Sequence, residues 1–138
     1  MEFKSLVEKY FAAEERGDID SVVDLCAPDV VIRNAAQPAV FGKDGARKFV
    51  SDFKARTERR NFEILAFAQN EDVCFAWWNA KLTFKPGVSF GPVTTKRSFT
   101  LNLQGVCRFK VDGIGKFKEL DVFHETTSGL LAAQEASR

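Results

Sequence analysis

The sequence predicts an α+β domain: a cone-shaped, curved antiparallel sheet whose concave side is closed over a central pocket by N-terminal helices. Three observations carry this reading. Apolar residues recur at three- and four-residue steps up to Phe53, the signature of amphipathic helices. After Asn61 the period changes to two, the signature of strands. The strands read over residues 73–84 and 94–111 are long enough that their sheet must twist and curl. Helices followed by a run of strands mean α+β packing, not alternating α/β.

Taken in order, Phe3, Leu6, Val7, Tyr10, Phe11 and Glu14 form one stripe of a helix over residues 3–16, stopped by Gly17. Asp18 caps a short second helix bearing Ile19, Val22, Val23 and Cys26, which Pro28 ends. Val30 to Ile32 is a short strand, and Asn34 to Phe41 an irregular segment. Lys43 or Asp44 opens a third helix with Ala46, Phe49, Val50 and Phe53 on its apolar face. In the first strand after Asn61, Phe62, Ile64, Ala66 and Ala68 share a face. Asn70-Glu71-Asp72 is a turn, and Trp78 belongs to the apolar register of the strand that follows, with Trp77 on the opposite face. Pro86-Gly87 and Gly91-Pro92 bracket a loop. Gly105 inside the next strand marks a bulge or bend. Asp112-Gly113-Ile114-Gly115 turns into a last strand over residues 116–126, and residues 128–135 are helical.

The chain of 138 residues reads as one domain, 1–138, with an ordinary globular composition. Its formal net charge of +1, with acids and bases interleaved, argues against a nucleic-acid partner. The one cationic cluster, Lys54 to Arg60, is interrupted by Glu58 and reads as a solvated helix end. Cys26, Cys74 and Cys107 lie far apart in apolar runs, with no zinc-ligand spacing and no disulfide framework. They fit reduced thiols in a cytoplasmic protein, and neither a metal nor a cofactor is expected. No apolar run reaches membrane-spanning length, so no membrane partner is expected. Fourteen phenylalanines against one tyrosine and two tryptophans suit either a greasy cavity or a dense core.

Three stretches carry a family resemblance: Tyr10-Phe-Ala-Ala-Glu-Glu-Arg-Gly17-Asp18-Ile-Asp20, Val22-Val-Asp-Leu-Cys-Ala-Pro28-Asp29-Val30, and Gly42-Lys-Asp-Gly-Ala-Arg-Lys-Phe49. Cys107-Arg-Phe-Lys-Val-Asp112-Gly113, Lys116-Phe-Lys-Glu119 and Gly129-Leu-Leu-Ala-Ala-Gln134 extend it to the closing strand and tail. Together they resemble the SnoaL-like and ketosteroid-isomerase-like members of the nuclear-transport-factor-2-like superfamily. The resemblance implies a conical, cystatin-like α+β barrel with one deep pocket, commonly dimeric through its sheet. Such domains include isomerases, polyketide cyclases, dehydratases, epoxide hydrolases and noncatalytic modules, so fold alone does not decide function. Tyr10 falls where the isomerases resemble it with an oxyanion-hole tyrosine. Asn34 and Gly105 fall where those enzymes carry functional carboxyl groups, and neither can replace one. Ketosteroid isomerase activity is therefore not expected.

The candidate catalytic residues are His124, Tyr10 and Asp121. His124 is the only histidine and shares an apolar register with Leu120 and Val122, so it could move a proton near neutral pH. A histidine or carboxylate in this strand resembles the arrangement of SnoaL-like cyclases. Tyr10 places the only phenol on an apolar stripe, where its hydroxyl needs a partner. Asp121 lies in the opposite register and enters the set through a possible one-residue slip of the last strand. Asn34, Trp78, Phe53 and Phe11 are the candidate substrate-binding residues. Two functions follow. One is a cofactor-independent acid/base enzyme acting on an apolar, ring-containing molecule. The other is a noncatalytic ligand-binding or dimerisation domain. Trp77, Val73 and Phe75 leave an apolar patch on the outside of the sheet, which suggests a homodimer through that face.

Overall fold

The computed structural model describes residues 2–35 and 37–138. Helix α1 spans Phe3–Arg16 and buries Phe3, Val7, Tyr10, Phe11 and Glu14 on one stripe. Gly17 ends it in the left-handed region at φ 67°, with Arg60 Nη2 packed where a side chain would project. Asp18 then accepts from the Ser21 backbone N–H at 3.2 Å and caps α2, Ile19–Asp24. Helix α3, Gly42–Arg56, buries Ala46 and Val50 and leaves Phe49 and Phe53 half-buried.

Among the described residues, six strands form one sheet: β1 (Cys26–Asn34), β2 (Val40–Phe41), β3 (Thr57–Asn70), β4 (Val73–Phe84), β7 (Phe99–Val111) and β8 (Phe117–His124). Their order is β2-β1-β8-β7-β4-β3. The sheet is curved and open, with β2 and β3 at its edges, so the barrel implied by the resemblance is not closed. All pairings are antiparallel except that of β1 with β8. A separate two-stranded hairpin joins β5 (Ser89–Phe90) to β6 (Val93–Thr94). Helix α4, Thr127–Ala136, closes the C-terminal end.

Several local expectations are corrected. Pro28 does not stop α2, which ends at Asp24; it lies within β1. The register jumps between Cys26 and Val31, so the N–H that proline lacks falls outside the regular ladder. The strand expected from residue 94 begins at Phe99, because the Lys96 and Arg97 N–H groups are drawn to the Ala136 carbonyl, at 2.8 and 3.2 Å. In β3 the register shifts between Ile64 and Ala66, so Phe67, not Ala66 and Ala68, continues the inward face after Phe62 and Ile64. Gly105 marks no bulge: it pairs regularly with Trp78 and His124, and the shift in β7 and β8 lies between Lys110 and Val111. The irregular segment between Asn34 and Phe41 includes Ala36, which is outside the described residues.

One apolar cluster joins the concave face of the sheet to α1 and α3. Phe109, Phe117, Ile32, Leu120 and Val7 are its largest fully buried members. Tyr10 stands edge-on to Phe109 and Phe117, with ring centroids 5.5 and 6.0 Å away. Arg60 and Thr57 tie β3 to α1: Arg60 Nε donates to the Glu14 carbonyl at 3.0 Å and Arg60 Nη1 to Thr57 Oγ1 at 2.7 Å. The cationic cluster is thus not simply a solvated helix end. Lys54 and Arg56 finish α3, and Arg60 is half-buried between elements.

Candidate functional site

The apolar cluster does not fill the cone. A cavity of about 340 Å³ remains between α1, α3 and the concave face of the sheet. This is within the range of small-molecule sites. Tyr10 and Phe11 from α1, Phe53 from α3, Asn34 at the end of β1, Trp78 from β4 and His124 at the end of β8 all line it. The structure thus brings together six of the seven sequence candidates.

Asp121 is the exception, and the reason is the period of a strand. Val122 and His124 face the cavity, so Asp121 faces out. Its Oδ1 accepts from Arg33 Nε at 2.6 Å and its Oδ2 from Arg108 Nη1 at 3.0 Å. Both arginines are direct cross-strand neighbours on the outer face. There is no register slip to turn Asp121 inward, so it does not belong to the candidate site.

The polar groups of the cavity occupy two regions. Trp78 pairs with Gly105, which pairs with His124, so these three residues form one row across β4, β7 and β8. A Cβ at Gly105 would collide with Trp78 Cζ2 and the Phe123 carbonyl oxygen. The missing side chain lets the indole lie across β7. Trp78 is 4% exposed and Trp77, one residue earlier, 46%. Asn34, paired with Val122, lies beside this row. Trp78 Nε1 and Asn34 Oδ1 are buried with no hydrogen-bond partner among the described residues. Burial pushes the Cys107 thiol far up, and the indole N–H opposes that shift; sulfur is too weak an acceptor to satisfy it. Two unsatisfied polar atoms in one wall are a cost that a ligand can remove. His124 Nδ1 lies 3.3 Å from the Glu125 carbonyl; when Nδ1 carries the proton, Nε2 is the basic nitrogen.

The second region is deep. Tyr10 packs against Phe109, four residues along β7 from Gly105, or roughly 13 Å of strand at ~3.3 Å per residue. Tyr10 and His124 therefore line different parts of the cavity. The Tyr10 hydroxyl donates to Glu14 Oε1 at 3.1 Å, one helical turn on. Glu14 also lines the cavity and is 4% exposed. Burial pushes its carboxyl up to about 7, against the opposing effects of the Tyr10 hydrogen bond and the Arg60 charge. Burial, then the charge of Glu14, raise the Tyr10 phenol well above its ordinary value. Glu14 was not among the sequence candidates. Its signal was present as a carboxylate on an otherwise apolar helical stripe.

The rim is occupied differently. Lys48 and Asp52, one turn apart on α3, form an ion pair of 2.7 Å. The Arg56 guanidinium lies 4.7 Å from the Phe90 ring centroid and donates to the Ser89 carbonyl at 3.1 Å. Among the described residues, no group of three or more His, Cys, Asp or Glu could hold a metal ion. No helix among them is long and apolar enough to cross a membrane.

Comparison with solved structures finds the same fold at low identity. A protein from Pseudomonas putida, provisionally named a polyketide cyclase, superposes with a TM-score of 0.86 at 18% identity, over 96% of this chain and 98% of that one. A protein from Catenulispora acidiphila with a ketosteroid isomerase-like fold, solved in complex with trimethylamine, gives 0.74 at 12%, over 94% and 92%. An LEH-like epoxide hydrolase from M. tuberculosis gives 0.71 at 14%, over 96% and 89%. No curated protein matches the chain by sequence. A family model does match, over residues 7–120, and on that match the chain belongs to the SnoaL-like domain family.

Proposed function

We propose that this protein binds a small, apolar, ring-containing molecule in the cavity and moves a proton on it without a cofactor. The reaction class is that of an isomerase, cyclase, dehydratase or hydrolase. One observation carries the reading: a cavity of about 340 Å³ whose aromatic wall holds two buried polar atoms with no partner among the described residues, Asn34 Oδ1 and Trp78 Nε1. Such atoms fix the orientation of a ligand that the rings hold by area. His124 is the proton-moving group at this end, with its Nδ1 3.3 Å from the Glu125 carbonyl. Tyr10 contributes from the deep end.

The test is turnover and binding of fused-ring ketones by the parent and by His124→Ala. Retained binding with a loss of rate of at least ~100-fold supports the catalytic role. Equal rates in the two proteins would refute it.

A second reading is favoured by the other side of the sheet. Trp77, Phe75 and Phe123 are exposed there, and Trp77, Val106 and Phe123 form a continuous cross-strand row. This supports a homodimer through the sheet face, with or without catalysis in the cavity. Nothing in the charge pattern favours a nucleic-acid partner. The three buried free thiols fit a reducing, cytoplasmic setting.

A further inference from the structure

The deep end of the cavity holds a carboxyl group whose hydrogen-bonding capacity is only partly used. Glu14 Oε1 accepts from Tyr10, and among the described residues no other side chain donates to the carboxyl. A carboxylate offers about four acceptor positions. Arg60, the cation that acts on it, spends its Nε on the Glu14 backbone carbonyl and its Nη1 on Thr57, while its Nη2 lies over Gly17. It therefore supplies charge but no hydrogen bond to the carboxyl. The two cations that line the cavity are engaged at the rim, Lys48 with Asp52 and Arg56 with Phe90. One turn back on α1, Phe11 lies 5.3 Å from Phe62, and both rings line the cavity. Phenylalanine edges and faces cannot satisfy a carboxyl, but they favour a flat ring or a desolvated ammonium group.

We propose that Glu14, held in place by Tyr10, is the deep anchor of the cavity and selects a ligand whose ring body ends in a hydrogen-bond donor, a hydroxyl or a protonated amine. This rests on the cavity being a small-molecule site and adds the polarity of the group that enters first. The donor occupies the free side of the carboxyl. The rings of Phe11 and Phe62 cover the body, and the opposite end of the ligand meets Trp78 Nε1 and Asn34 Oδ1. Tyr10 is a positioning residue: it fixes the carboxyl through Oε1 and leaves the rest of the group to the ligand.

Four probes of one shape test this: naphthalene, 2-methoxynaphthalene, 2-naphthol and 2-naphthylmethylamine, titrated by calorimetry into the parent protein. At least one donor-bearing probe is expected to bind about tenfold or more tighter than 2-methoxynaphthalene, the range of a hydrogen bond to a charged group. Whichever of the hydroxyl and the amine binds tighter identifies the head group. In Glu14→Gln that preference is expected to vanish while naphthalene affinity is kept. In Tyr10→Phe it is expected to shrink, because the bond that fixes the carboxyl is gone. Equal affinities for donor and methoxy probes in the parent overturn the anchor while leaving the cavity a ligand site. Failure of all four probes to bind overturns both. The parent measurement needs no variant, so a poorly folding Glu14→Gln does not rescue the proposal.

Discussion

The phenol of Tyr10 and the carboxyl of Glu14 are joined by a hydrogen bond of 3.1 Å inside α1, with both side chains buried. The pair sits near the carbonyl end of the helix, where the helix dipole also disfavours negative charge. Of the two groups, Glu14 is the one that titrates near neutrality.

That has a consequence for stability. The ordinary carboxyl value of 4.5 applies to the unfolded chain and about 7 to the folded one. Between those values the folded state binds more protons, so the free energy of unfolding falls as pH rises. The penalty is fully present above about 7 and amounts to about 3 kcal/mol as an order of magnitude. Glu14→Gln removes the titration. The stability of the variant relative to the parent, measured by urea denaturation, is expected to improve steadily from pH 4 to pH 8. An unchanged difference across that range would show that Glu14 does not carry a raised pKa.

Gly105→Ala is expected to act on the cavity through Trp78. A methyl group at that position occupies space now held by the indole and the Phe123 carbonyl. The ring must move into the cavity or β8 must shift, at a cost of about 1–3 kcal/mol. Thermal denaturation should show the loss, and binding of a two-ring probe should weaken with it. Unchanged stability would mean that the indole has room elsewhere.

Asp121→Asn separates the two faces of the sheet. It weakens the contacts to Arg33 and Arg108 on the outer side. These are partly exposed arginines on a buried carboxylate, and the loss is expected to be about 1–2 kcal/mol. Ligand affinity should stay the same. A large loss of binding with stability intact would return Asp121 to the site.

The proposed dimer is tested by charge. Trp77→Glu combined with Phe123→Glu places two carboxylates on the exposed row of the outer face. Sedimentation of the parent is expected to give twice the chain mass of 15.5 kDa, and that of the variant 15.5 kDa. A parent that sediments as a monomer would remove the dimer.

The sequence and the structure agree best where a pattern is long. The stripe of α1, the Gly17–Asp18 junction and the alternation through Trp77 and Trp78 were readable because each is a local repeat or a local stop signal. Bulges were not readable: the shift at Leu65 depends on how β3 meets β4, which no single strand records. Gly105 was misread for a related reason. Its glycine answers to the indole on a neighbouring strand, not to the bend of its own. The start of β7 was displaced by α4, a contact made across the chain. For the site, the apolar register placed Trp78 and His124 correctly. Glu14 was passed over because a carboxylate at the end of a helical stripe is usually solvated, and its burial under β3, whose Arg60 bonds the Glu14 carbonyl, is a contact the local sequence does not record.

Strand β8 assigns unrelated tasks to alternate residues: Leu120, Val122 and His124 look inward, Asp121 and Phe123 outward. Substitutions on either side can therefore accumulate independently. Loss or gain of a single residue within the strand cannot be absorbed in this way. It would exchange the two sets at once, putting Asp121 into a greasy interior and His124 onto the outer surface, so this strand should keep its length more strictly than its composition.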